Sequence, residues 1–129
     1  MNRPLALTSA VLGFLGVALG AMGAHALKHG LLEGAADAAQ RLEWWETGAR
    51  YHLIHALAVG LAALWASKAR AARVGGWLFT AGVALFSGSL YAMALTGSTA
   101  FARATPLGGV SFMAGWIALA IAAARAAQG

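Results

Sequence analysis

Four long apolar runs decide what this chain can fold into. The first, residues 5–24, carries no charged side chain over twenty positions. As a helix rising about 1.5 Å per residue it reaches roughly 30 Å, the thickness of a bilayer's hydrocarbon core. Comparable runs occupy about 48–67, 74–96 and 105–124. A soluble domain carries roughly 25% charged residues, whereas this chain is 10% charged and 60% hydrophobic. So few charges cannot clothe four apolar segments in water. The predicted fold is an all-α integral membrane protein: four transmembrane helices in an antiparallel bundle, forming a single membrane domain over 1–129. A secretory signal is the competing reading of the first run, with Arg3 as its basic flank and Ala24-His25-Ala26 as a small-x-small site. The run is longer than the roughly 7–15 apolar residues of such signals, which favours a retained helix.

The remaining composition removes whole classes of chemistry. No cysteine is present, so thiolate metal sites, disulfides and cysteine nucleophiles are excluded. The net charge of +5 and pI near 10.9 do not point to nucleic acid, because no basic stripe with interleaved aromatics exists. Lysines and arginines at helix ends instead set membrane orientation and meet anionic lipid. Arg3, Lys68, Arg70, Arg73 and Arg125 fall at one set of span ends; Lys28, Arg41, Arg50 and Arg103 fall at the other. The denser set predicts cytoplasmic N and C termini.

Between the first two spans lies the longest polar segment, with Glu33, Asp37, Arg41, Glu43 and Glu46. Its small and apolar residues recur at helical spacing, so 33–47 reads as a short amphipathic helix on the membrane surface or, alternatively, packed on the bundle. Trp44 and Trp45 are expected as interfacial anchors at headgroup level. Glu46 and Arg50 stand four apart and can form a surface ion pair. In the second span, Gly48, His52, His55, Val59, Ala62, Ala63 and Ala66 share one face, while Leu53, Leu57, Leu61 and Leu64 share the opposite one. The small face should meet other helices and the leucine face lipid. Gly16, Gly20, Gly75, Gly82, Ser89, Gly108 and Gly115 are the corresponding packing positions elsewhere. Gly16-Val17-Ala18-Leu19 and Gly82-Val83-Ala84-Leu85 echo one another, as chance permits in so simple a composition.

His25, His52 and His55 are the candidate ligand or metal residues, since imidazoles facing a bundle interior can bind metal, haem or a proton. No Glu-x-x-His companion supports a metal site, and no cofactor is predicted. Ser87 and Ser89 lack a neighbouring base in the sequence and are expected to bond a carbonyl or a facing helix, so no enzyme is predicted.

The strings Gly20-Ala21-Met22-Gly23-Ala24-His25 and Trp45-Glu46-Thr47-Gly48-Ala49-Arg50-Tyr51-His52-Leu53-Ile54-His55-Ala56-Leu57 carry a family resemblance. So do Phe86-Ser87-Gly88-Ser89-Leu90-Tyr91 and Thr105-Pro106-Leu107-Gly108-Gly109. Across about 20–120 the chain resembles the domain-of-unknown-function 423 family. That resemblance implies a small four-helix protein of the bacterial inner membrane and supplies no catalytic residue. The function expected is that of an accessory, scaffold or lipid-interacting element working through helix packing. Its partners would be membrane lipid and a homo-oligomer or larger membrane complex. The alternatives are a small-molecule, proton or metal/haem-binding protein using the His25/His52/His55 face, and a small transporter or channel when oligomeric.

Overall fold

The computed structural model describes residues 1–128, all helix and short connections among them. Helix α1 runs Arg3–Met22 and continues in wider π-helical winding over Gly23–Leu31. Helix α2 is Ala38–Trp65. Helix α3, Arg70–Gly82, passes through a π-helical turn, Val83–Ser87, into α4, Gly88–Thr96. Helix α5 is Ala104–Ala126. Three of these continuous rods are long and apolar enough to cross a membrane: Arg3–Leu31, Arg70–Thr96 and Ala104–Ala126. The fourth, α2, is 28 residues long, but Arg50, His52 and His55 and its polar first turns make it less apolar.

Each local start and stop has a physical cause. Asn2 caps α1, its side chain accepting from the Leu5 N–H at 3.1 Å. Gly97, with φ of 71°, closes α4 in the left-handed conformation that glycine adopts without strain. Arg41 completes that end from outside: Nε donates to the Ala94 carbonyl and Nη2 to the Leu95 carbonyl, both at 2.7 Å. These are carbonyls of the last turn, where intrahelical donors run out. Thr105 does not cap α5 as its position before Pro106 suggests. The helix begins at Ala104, and the Thr105 hydroxyl pairs with that of Ser89 at 2.6 Å.

Helix α2 is the centre of the bundle. It runs antiparallel to α1, with the Asn2 N–H on the Ala63 carbonyl at one end and Trp45 on Leu19 at the other. It also lies antiparallel to α3–α4, where Ala62 faces Gly76 and Gly48 faces Leu90 and Tyr91. Helix α5 covers the far side of α3, Gly115 against Gly75 and Gly108 against Phe86. Two apolar clusters result. One gathers Leu5, Val59, Phe79, Phe112 and Leu119; the other gathers Leu27, Leu32, Trp45 and Ala94.

Three expectations are corrected here. Residues 38–47 are not a separate surface helix but the first turns of α2, because no proline or chain-breaking turn separates them from 48. Trp45 is not a headgroup anchor: it is 1% exposed, its ring lies at Gly23, and its Nε1–H donates to the Leu19 carbonyl at 2.6 Å. Trp44 is half-buried beside it. Glu46 and Arg50 form no ion pair. Among the described residues the ion pair found is Arg41–Asp37, at 3.7 Å, because Arg41 is already fixed by the α4 carbonyls.

Candidate functional site

Between the two apolar clusters lies a layer of polar and aromatic side chains, built on the middle of α2. His52 and His55 are three apart, so both turn toward the other helices, and they are 3% and 4% exposed. Tyr91 from α4, Ser87 from the π-helical turn, and Phe112 and Trp116 from α5 complete the layer. His52, His55 and Ser87 are buried, so an unmade hydrogen bond at any of them is costly.

His55 is held at both nitrogens. Its Nδ1–H donates to the Tyr51 carbonyl at 2.7 Å, and its Nε2 accepts from Trp116 Nε1–H at 3.1 Å. A carbonyl only accepts and an indole N–H only donates, so these partners fix a neutral ring with its proton on Nδ1. The imidazole also stacks on Phe112, with centroids 3.6 Å apart and planes within 9°. Phe79 and Trp116 meet edge-on beside it at 4.9 Å. With both nitrogens engaged, His55 can neither ligate a metal nor pass a proton until one of these bonds breaks. Trp116→Phe keeps the ring and removes the donor. The buried Nε2 left unsatisfied should lower stability by about 1–3 kcal/mol, measured as the unfolding midpoint in mixed micelles, and Phe112→Leu on the same ring should leave that hydrogen bond intact.

His52 is half satisfied. Its Nδ1 shares a hydrogen bond of 2.9 Å with the Tyr91 hydroxyl, and Tyr91 packs on Trp45 at 4.6 Å. Nε2 is buried without a partner. The Leu12 backbone faces this ring from α1 without a hydrogen bond of good distance and angle. Gly16 lies against it as well; a Cβ there would stand 3.3 Å from His52 Cδ2.

The serines are structural donors. Ser87 Oγ donates to the Gly48 carbonyl at 2.7 Å, fully buried. Ser89 Oγ donates to the Phe86 carbonyl at 2.8 Å and so accepts from Thr105. Among the described residues neither hydroxyl is hydrogen-bonded to a histidine or carboxylate.

His25 does not join this site. It lies exposed on the π-helical continuation of α1, while His52 and His55 are buried midway along α2. Among the described residues no group of three His, Cys, Asp or Glu side chains is close enough to hold a metal ion. Tyr91, Trp116 and Arg41 are the residues that sequence reasoning passed over. Tyr91 and Trp116 each lie in an apolar span, and such polar-tipped aromatics find a partner when buried; that was the available signal. Arg41 gave none, because its partners are backbone carbonyls 53 and 54 residues away.

Among the expected packing positions, Gly16, Gly75, Gly82, Gly108 and Gly115 each touch a facing helix so closely that a Cβ would crowd it. Gly20 has nothing within 4 Å of a Cβ.

Comparison with known proteins decides the family. Residues 19–109 match the model of the "Protein of unknown function (DUF423)" family. The chain belongs to this family. It is 44% identical to a UPF0382 membrane protein of Haemophilus influenzae, covering 92% of this chain and 91% of the relative. It is 39% identical to the UPF0382 membrane protein YwdK of Bacillus subtilis, over 90% of this chain and 92% of the relative. It is also 39% identical to the UPF0382 inner membrane protein YgdD of Escherichia coli, over 96% and 92%. No solved structure matches the chain. With these relatives and its apolar helices, the chain is a multi-pass membrane protein of an uncharacterised family, and the compartment is the inner membrane.

Proposed function

We propose that this is a four-span, lipid-interacting accessory protein that works through its outer surface, with the histidine layer serving as internal packing. Helix α2 is the fourth span: its 28 residues extend about 42 Å against a hydrocarbon core of roughly 30 Å. His52 and His55 turn inward while Leu57, Leu61 and Leu64 turn out, and the charged Glu43, Glu46 and Arg50 stay exposed in its first half. Both termini are cytoplasmic under the positive-inside rule, since Arg3, Lys68, Arg70, Arg73 and Arg125 share that end.

The observation that carries the proposal is a contrast between inside and outside. Inside, close glycine contacts and paired hydroxyls are used up within one chain. Outside, α1 and α5 present large apolar side chains, among them Leu7, Phe14, Leu107, Met113 and Ile117. The test is the protein in native nanodiscs, with an absorption spectrum, a metal analysis and native mass spectrometry on one sample. Retained phospholipid, with a spectrum showing aromatic absorption alone, is expected. A stoichiometric haem, metal or quinone would overturn the proposal.

The unpartnered His52 Nε2 supports one second reading, a proton or small hydrogen-bonding ligand held between α1 and α2. His52→Gln separates the two. If folding survives and a ligand or a proton-linked property disappears, the second reading replaces the first; a loss of stability alone leaves His52 structural.

A further inference from the structure

The end of the bundle opposite the acidic segment is a different environment. All four acids, Glu33, Asp37, Glu43 and Glu46, lie between positions 33 and 46. At the other end α2 stops at Trp65, α3 begins at Arg70 and α5 ends at Ala126. A cavity of about 590 Å³ opens there, lined by Trp65, Lys68, Arg70 and Arg125 above a floor of alanines that includes Ala122. None of its three cations is in an ion pair among the described residues.

The backbone adds donors to these charges. The residue before α3 is Ala69, extended at φ of −138° and ψ of 112°, with no side chain able to cap the helix. The N–H groups of Arg70 and Ala71 therefore find no acceptor among the described residues, and both residues line the cavity. Unmade N–H groups at a helix start, joined by the helix dipole, favour an anion. Trp65 stands half-exposed at the rim, the placement indole takes at the headgroup boundary. The volume falls within the roughly 300–1,000 Å³ of sites for small ligands.

We infer that this cavity binds a phosphate-bearing anion, and that the anion is the headgroup of an acidic phospholipid whose chains descend beside Trp65 and the α5 alanines. Arginine and lysine supply the charge, the Arg70 and Ala71 N–H groups supply direction, and the apolar floor excludes a fully hydrated ion. The inference rests on the lipid-interacting reading above and narrows it to one headgroup class at one place.

The test is native mass spectrometry of delipidated protein in micelles, titrated with phosphatidylglycerol, phosphatidylcholine and, separately, inorganic phosphate. Three chains are compared: the natural protein, the triple variant Lys68→Gln, Arg70→Gln, Arg125→Gln, and the double variant Lys28→Gln, Arg103→Gln at the opposite end. These side chains are exposed, so all three chains should fold, as circular dichroism would verify. Phosphatidylglycerol should bind the natural chain at least about tenfold more tightly than phosphatidylcholine. The triple variant should lose that preference and the double variant should keep it. Equal binding of the two lipids, or a preference that survives the triple variant, overturns the site while leaving general lipid interaction standing. Inorganic phosphate that binds as tightly as the lipid and displaces it overturns the lipid assignment. A natural chain that retains no phospholipid of either kind overturns the lipid-interacting reading itself.

Discussion

Gly108→Leu is expected to stop the α3–α5 half of the bundle from closing. A Cβ on Gly108 would stand 2.7 Å from Phe86 Cβ and 2.8 Å from its Cα, and it would also run into the Phe86 backbone nitrogen. Backbone atoms cannot swing aside as a side chain can, so α5 must move away from the Val83–Ser87 turn. That movement separates Thr105 from Ser89 and Phe112 from His55. Overpacking costs about 1–3 kcal/mol in ordinary cores. With backbone as the obstacle and a whole leucine added, a loss of about 3 kcal/mol or more is expected in a reversible unfolding titration followed by circular dichroism. Gly20→Ala is the matched control. It meets nothing within 4 Å and should change stability by less than about 1 kcal/mol, since alanine is the better helix former. Equal effects at the two positions would mean that Gly108 is not at a helix contact.

Trp45→Ala should be the second large effect. The indole is enclosed by the α1 continuation and α4, with Gly23 beside it and Tyr91 at 4.6 Å. Removing a buried tryptophan typically costs 3–5 kcal/mol. The lower end, about 3 kcal/mol, is expected here because lipid chains give helix association little hydrophobic drive. Trp45→Phe keeps much of the ring and removes the donor to Leu19, so it should lose about 1 kcal/mol. In single-tryptophan variants, Trp45 emission should resist quenchers carried in the headgroup region. Strong quenching, with a harmless Trp45→Ala, would return Trp45 to the membrane surface.

These two residues mark where the sequence is legible and where it is not. Gly108 stands out in the sequence because small residues seven apart on an apolar helix have one common physical use, close approach of a neighbour, and a Cβ there would meet Phe86. Helical periodicity separates His52, His55 and Val59 from Leu57, Leu61 and Leu64 on α2, whereas Leu53, expected on the same lipid-facing side, packs against Gly16 of α1. Trp45 reads wrongly because interfacial preference is an average over tryptophans. What overrides it is tertiary: a glycine at 23 and a free approach to the Leu19 carbonyl, 26 residues away. The same applies to Arg50 and Glu46, whose spacing permits an ion pair worth little in any case. The independent surface helix over 33–47 fails because amphipathic spacing describes which face is buried, not where a helix ends. At the histidine layer, the sequence places His52 and His55 on an inward face but cannot supply their partners. Trp116 is 61 residues from His55, and Tyr91 is 39 from His52. Those partners distinguish a ring locked at both nitrogens from one with a nitrogen unmatched.

Four crossings of the bilayer, with α2 as one of them, can be tested side by side. The natural absence of cysteine makes single-cysteine labelling the direct measurement. Cysteines placed one at a time at Ala36, Ser67, Ser98 and Gln128 would be challenged in sealed vesicles with a membrane-impermeant maleimide. Four spans predict that Ala36→Cys and Ser98→Cys react from one side and Ser67→Cys and Gln128→Cys from the other, with Leu57→Cys unreactive from either. Reaction of Ala36→Cys and Ser67→Cys from the same side would contradict the account, because α2 would then lie along the membrane instead of through it.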